Sequence, residues 1–204
     1  MFEEDHMVVS SELRPIISFA VCAVIVDVRP DGTVFVDRMI YTKEGRSSVR
    51  HLMETGEKGE SVMDTLATGL THEAARNAAD FSFKLLSPDP IHYALGPDDK
   101  DPNGQHLKIC YAVKAKGDLR NFNLPDGNET LGPITMVEIK KLIEETEGRT
   151  VPFHVQASKA VLQALAMNKS VFDRYQREIV IWEARTLSSA HDVEVDLVNK
   201  FLNH

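Results

Sequence analysis

From residue 16 to 28 the chain is apolar and rich in valine and isoleucine, with Phe19, Val21, Val24, Ile25 and Val26 in near-unbroken succession. Such a run is the pattern of a strand buried on both faces. Pro30-Asp31-Gly32 follows, a turn in which proline presets φ and glycine accepts a positive φ. Residues 33–41 then read as the second arm of a hairpin. A polar stretch over 42–50 leads into Glu57-Lys58-Gly59-Glu60-Ser61. After it Val62, Leu66, Leu70 and Ala74 recur every four residues, so the spacing predicts a helix over 62–79 with one buried stripe. Residues 81–86 and 91–95 predict short strands, 98–104 a loop, 107–114 another strand and 124–129 another loop. A short helix is expected over 134–144, with Val137 and Leu142 among charged residues. Beyond it strand character almost vanishes, and 155–167, 171–187 and 192–202 read as helices.

That order predicts an α/β (α+β) domain over residues 16–147, preceded by a loose polar segment, 1–15, and followed by a C-terminal helical extension, 148–204. A chain of 204 residues, 43% hydrophobic and 26% charged, can bury a core without staples. Its 31 acidic against 23 basic residues give a net charge of −8, which argues against a dedicated binder of nucleic acid or of acidic membranes. A local basic pocket for a phosphorylated small molecule is still compatible with that balance. Cys22 and Cys110 lie in apolar runs and read as small buried fillers, not as a disulfide framework or a thiolate zinc site. The start, Met-Phe-Glu-Glu-Asp-His, lacks the basic-then-apolar order of a secretion signal, and the apolar run over 19–26 is too short to span a bilayer. A soluble cytoplasmic protein is the expectation.

Chemistry has few places to reside. No H-E-x-x-H helix, G-x-S-x-G elbow or P-loop occurs. His51, His92 and His106 are isolated and read as surface or satisfied polar residues. Arg46-Ser47-Ser48-Val49-Arg50-His51 is a local basic patch. Arg46 and Arg50 could meet phosphates through bidentate contacts, or simply coat a solvated loop.

Glu57-Lys58-Gly59-Glu60-Ser61, between a hairpin and a long helix pattern, resembles the opening of the box of the Nudix hydrolase superfamily, G-x5-E-x7-R-E-U-x-E-E-x-G-U with U a bulky aliphatic. Gly59-Glu60-Ser61 is similar to the "GES" that opens the box helix. Seven residues then separate Glu60 from the next box position, Leu70 falls on the aliphatic position and Glu73 on the last glutamate. In this register Thr68 replaces the box arginine, Gly69 and His72 replace two helix glutamates, Glu54 stands at the leading glycine and Ala75 at the closing one. Inserting one helical turn would instead align His72-Glu73-Ala74 with "REU" and put Arg76 and Asn77 on the paired glutamates. Either way the helix keeps one box carboxylate.

The resemblance implies a Nudix-like α/β/α sandwich with a mixed sheet. It also implies either of two functions. One is a divalent-metal-dependent hydrolase of a nucleoside diphosphate linked to another moiety, with an eroded metal site. The other is a catalytically inactive module that binds a small phosphorylated ligand or a protein. In the family, carboxylates at i, i+3 and i+4 gather on one helix face and hold Mg²⁺. Here Glu57, Glu60 and Glu73 are the metal-ligand candidates, Glu73 with His72 the catalytic ones, and Glu129 a further acid. Mg²⁺ or Mn²⁺ is implied, with Zn²⁺ as the alternative that an imidazole suits. In the tail, Phe172, Tyr175, Ile179, Val180 and Trp182 form an apolar stripe that either packs on the sheet or makes a homodimer contact.

Overall fold

The computed structural model describes residues 16–98, 101, 103–146 and 152–167. The expected strand is β1, Ile16–Val28, and it lies at the centre of a mixed sheet. It runs parallel to β7, Gln105–Lys116, with Phe19 beside Leu107 and Ile25 beside Val113. Antiparallel to β1 are β2, Val34–Lys43, at one end and β4, Leu52–Thr55, at the other. β7 carries β5, Ser82–Leu85, and β6, His92–Pro97, as antiparallel neighbours.

Successive residues of β1 serve opposite faces, as the strand period demands. Val21, Ala23 and Ile25 join a core with Leu66, Leu70 and Ala74. Cys22, Val24 and Val26 join another with Ile139, Leu142, Phe153, Ala157 and Val161. The first set comes from α1, Val62–Gly69, and the turn after it; the second from α2, Ile139–Thr146, and α3, Pro152–Met167. The predicted α/β/α sandwich is therefore the observed architecture. Cys22 and Cys110 are buried partners across β1 and β7, the apolar fillers expected. Among the described residues no helix is long and apolar enough to cross a membrane.

A buried polar cluster fastens α3 to the sheet. Asp37 accepts from the Ile25 N–H at 2.8 Å, from the Leu52 N–H at 3.2 Å and from His51 Nδ1 at 3.1 Å. His51 Nε2 meets Ser158 Oγ of α3 at 2.7 Å. His51 is thus a satisfied core histidine, one of the two alternatives the sequence offered.

Four segments differ from expectation. The polar stretch 42–50 is mostly strand: β2 extends to Lys43 and turns at Glu44 and Gly45, φ 51° and 75°, into β3, Arg46–Arg50. Two successive positive φ values make the mirror-image turn that matches strand twist. Residues 124–131 form a small hairpin of β8, Leu124–Asp126, and β9, Glu129–Leu131, which docks on β2. The helix expected over 134–144 begins as β10, Thr135–Glu138, whose Thr135 and Val137 favour a strand, and becomes α2 only at Ile139.

The helix expected over 62–79 stops early. Its α-helical part ends at Gly69, and Leu70–Ala74 form one wider π-helical turn in which the Ala75 N–H reaches the Leu70 carbonyl at 3.1 Å. Residues 118–120 draw the chain away. The Arg76 N–H bonds Asp118 O at 2.9 Å and the Arg120 N–H bonds Ala74 O at 2.8 Å. The helices expected over 171–187 and 192–202, with the stripe from Phe172 to Trp182, lie outside the described residues.

Candidate active site

Strand β4 delivers the chain to α1. The Gly56 N–H extends the ladder to Phe19 O at 3.0 Å, and Gly59 at φ 89° turns the backbone. Ser61 caps α1: its Oγ accepts from the Asp64 N–H at 3.1 Å and donates to the Asp64 carboxylate at 2.6 Å. Glu60 folds back over the turn, one oxygen accepting from the Glu57 N–H at 3.0 Å and the other from the Thr68 hydroxyl at 3.4 Å.

Glu73 sits on the π-helical turn, and a carboxylate absent from the expected set meets it. Glu54, from β4, shares a side-chain hydrogen bond with Glu73. Burial, then the Glu54 charge and that hydrogen bond, push the Glu73 carboxyl up to about 8, with Asp126 adding to the rise and Arg120 opposing it. Burial also raises Glu54, against the Thr55 N–H that bonds it at 3.0 Å, with Asp126 and Glu60 pushing the same way as burial. At neutral pH the pair therefore holds a proton between two carboxyl groups from different elements.

Arg120 stabilises this arrangement from beneath. It is fully buried, at 0% exposure. Its Nε donates to Glu73 O at 2.5 Å, and Nη1 donates to Phe122 O at 2.6 Å and Leu131 O at 3.0 Å. One guanidinium thus ties the π-helical turn to the β8–β9 hairpin that carries Asp126.

The other expected residues scatter. Glu57 lies exposed on the turn and engages Glu60 through its backbone; His72 is exposed on the far side of its turn's buried Leu70 and Ala74. Arg46 is exposed at the start of β3. Arg50 stacks over the Tyr41 ring at 3.6 Å and its Nε donates to Ser48 Oγ at 3.1 Å. Glu129 pairs with Lys43 at 2.6 Å and accepts from the Tyr41 hydroxyl, and the Lys43 hydrogen bond leads in lowering its pKa. Among the described residues no ion pair joins Arg46, Arg50 or Glu129 to Glu73. Glu54, Asp126 and Arg120 are the residues that motif matching passes over. Glu54 occupies a box position reserved for glycine, while Asp126, at the end of β8, and Arg120 lie in stretches without a motif.

The donor set bears on the implied ion. Among the described residues no three His, Cys, Asp or Glu side chains come together in a group that could hold a metal ion. Two carboxylates, Glu54 and Glu73, with Glu60 close enough to act on Glu54, match what Mg²⁺ takes from a protein when water and phosphate complete its octahedron. The oxygen-only donors fit Mg²⁺ or Mn²⁺.

The sequence matches no family profile and no curated protein. Solved structures do resemble it. The ORF135 protein of E. coli superposes with a TM-score of 0.54 at 10% identity, over 76% of this chain and 94% of that one. A NUDIX hydrolase of Nitrosomonas europaea gives 0.52 at 13% identity, over 74% and 90%. An Ap4A hydrolase of C. elegans, in a binary complex, gives 0.50 at 10% identity, over 74% and 98%. At these identities the likeness is one of fold, and the fold is that of Nudix hydrolases.

Proposed function

We propose that this chain is a Nudix-type hydrolase that cleaves a nucleoside diphosphate linked to another moiety, with Glu54, Glu60 and Glu73 as its acid set. The observation that carries this is the Glu54–Glu73 pair. Folding brings two carboxyl groups together in a half-buried position, and burial, then the charge of Glu54, raises Glu73 to about 8. Such pairs cost stability and recur where chemistry needs them. Mg²⁺ or Mn²⁺, held by Glu54 and Glu73, would supply positive charge to a phosphoanhydride and make a water more acidic.

The chain's own contribution is to hold and release protons. Glu73, once deprotonated, accepts the proton of the water that attacks phosphorus while the P–O bond to the leaving phosphate breaks. Arg120 holds the Glu73 backbone in place during that transfer through the 2.5 Å bond to its carbonyl. Arg46, exposed at the start of β3, is available to substrate phosphates; Arg50 would reach them by leaving Tyr41. The acidic surface disfavours nucleic acid, so the expected ligand is a small phosphorylated molecule.

A second function, binding without turnover, is favoured by one specific feature: Gly69 and the exposed His72 occupy positions where the box has glutamates. One experiment separates the two. The protein is incubated with nucleotide sugars, dinucleoside polyphosphates and nucleoside triphosphates, each with Mg²⁺, Mn²⁺ or Zn²⁺. Metal-dependent release of phosphate or nucleoside monophosphate that disappears in Glu73→Gln supports hydrolysis. No turnover, with thermal stabilisation by a ligand regardless of metal, supports the binding module.

A further inference from the structure

Gly69 lies inside regular helical backbone, at φ −58° and ψ −46°, where any residue is at ease. A glycine there costs roughly 1 kcal/mol relative to alanine, so its presence needs another cause. The cause is space. A Cβ at position 69 would stand 2.8 Å from the Glu54 Cβ, 3.6 Å from its Cγ and 3.9 Å from Leu52 Cδ2. Carbon atoms settle at about 3.5–4.0 Å, so both positions cannot carry side chains in this backbone.

The two residues in contact are also two departures from the box: a glutamate where it has glycine, and a glycine where it has glutamate. We infer that they are one exchange, in which Glu54 delivers from strand β4 the carboxylate that position 69 of the helix does not carry. The Glu54 side chain crosses the space left open at Gly69 and meets Glu73, the one box glutamate retained. The role of the transferred carboxylate, to hold a divalent cation with Glu73, rests on the hydrolase function proposed above. The packing interdependence of the two positions does not.

The test is a cycle of Gly69→Glu, Glu54→Gly and the double variant in the full chain, followed by thermal unfolding and by Mn²⁺ titration, read from the EPR signal of free Mn²⁺ at pH 8.5. Gly69→Glu alone is expected to lower Tm by roughly 5 °C, the effect of overpacking on a chain this size. The double variant is expected to regain most of that loss. Glu54→Gly should weaken Mn²⁺ binding by about tenfold or more, and the double variant should restore it. Glu54→Gln keeps the volume and loses the charge, so it should fold as the parent does and still lose Mn²⁺. A double variant no more stable than Gly69→Glu overturns the exchange, and Glu54→Gln that binds Mn²⁺ like the parent overturns the role of Glu54. A parent that does not bind Mn²⁺ overturns the metal-dependent hydrolase, while the unfolding cycle still decides the exchange.

Discussion

Glu73 and His154 are moved by the same force in opposite senses of charge. Burial keeps Glu73 protonated to about pH 8, where a free carboxyl would lose its proton near 4.5. Across that window the folded chain binds more protons than the unfolded one, so stability falls as pH rises. His154 of α3 is held well below its ordinary 6.5 by burial first, then by the charges of His51, Arg50 and Lys108. Below about pH 6.5 the unfolded chain therefore binds the extra proton, and stability falls as pH drops. The two slopes oppose one another between about 4.5 and 6.5. Above that range only the Glu73 slope persists. Thermal unfolding from pH 5 to 9 should show Tm declining beyond pH 6.5, and Glu73→Gln should flatten that decline and steepen the rise between pH 5 and 6.5, where the His154 slope is no longer offset. Equal alkaline slopes in the two proteins would refute the account.

At the scale of elements, the π-helical turn is shaped by what it touches more than by its own sequence. Arg120 spends its donors on carbonyls of Glu73, Phe122 and Leu131 and meets Met39 Sδ at 3.5 Å. Lysine cannot present that fork, and a buried cation deprived of partners costs about 3 kcal/mol or more. Arg120→Lys is accordingly expected to lower the unfolding free energy by that order, read from urea unfolding as a lower midpoint with m unchanged; a change under about 0.5 kcal/mol would show the guanidinium to be dispensable. The same long-range bonds explain what could be read in advance. β1, the β1–β2 hairpin, β7 and the capped start of α1 announce themselves through apolar runs, a Pro-Asp-Gly turn and Ser61. The end of α1 does not, because its periodicity through Ala74 survives the change from α to π geometry and the break is imposed by residues 118–120. β3 escaped because it is a polar strand with a Glu-Gly turn. In the candidate site, Glu73 is named by the resemblance to the Nudix box. Glu54 is not, since only the fold brings β4 against Gly69.

At the scale of the whole molecule, β1 separates two cores that share a strand but not their side chains. Leu70 is buried with α1's neighbours and Leu142 with those of α3, on opposite faces. Each Leu→Ala change should cost about 2–5 kcal/mol, and the pair should add to within about 0.5 kcal/mol because among the described residues the two lie in separate clusters. Strong non-additivity in urea unfolding would mean that the sheet transmits strain between faces. One carboxylate stands where such strain would concentrate. β1 is laddered to β2 only over Val26–Val28 and to β4 only over Ala20–Ala23, and between these Asp37 takes the Ile25 and Leu52 amide hydrogens in place of a strand. The sheet forks there into two wings, joined by a short ladder and a side chain. Any breathing of one wing against the other must first loosen Asp37, so deuterium uptake at Ile25 and Leu52 serves as a gauge of how rigidly the wings are locked.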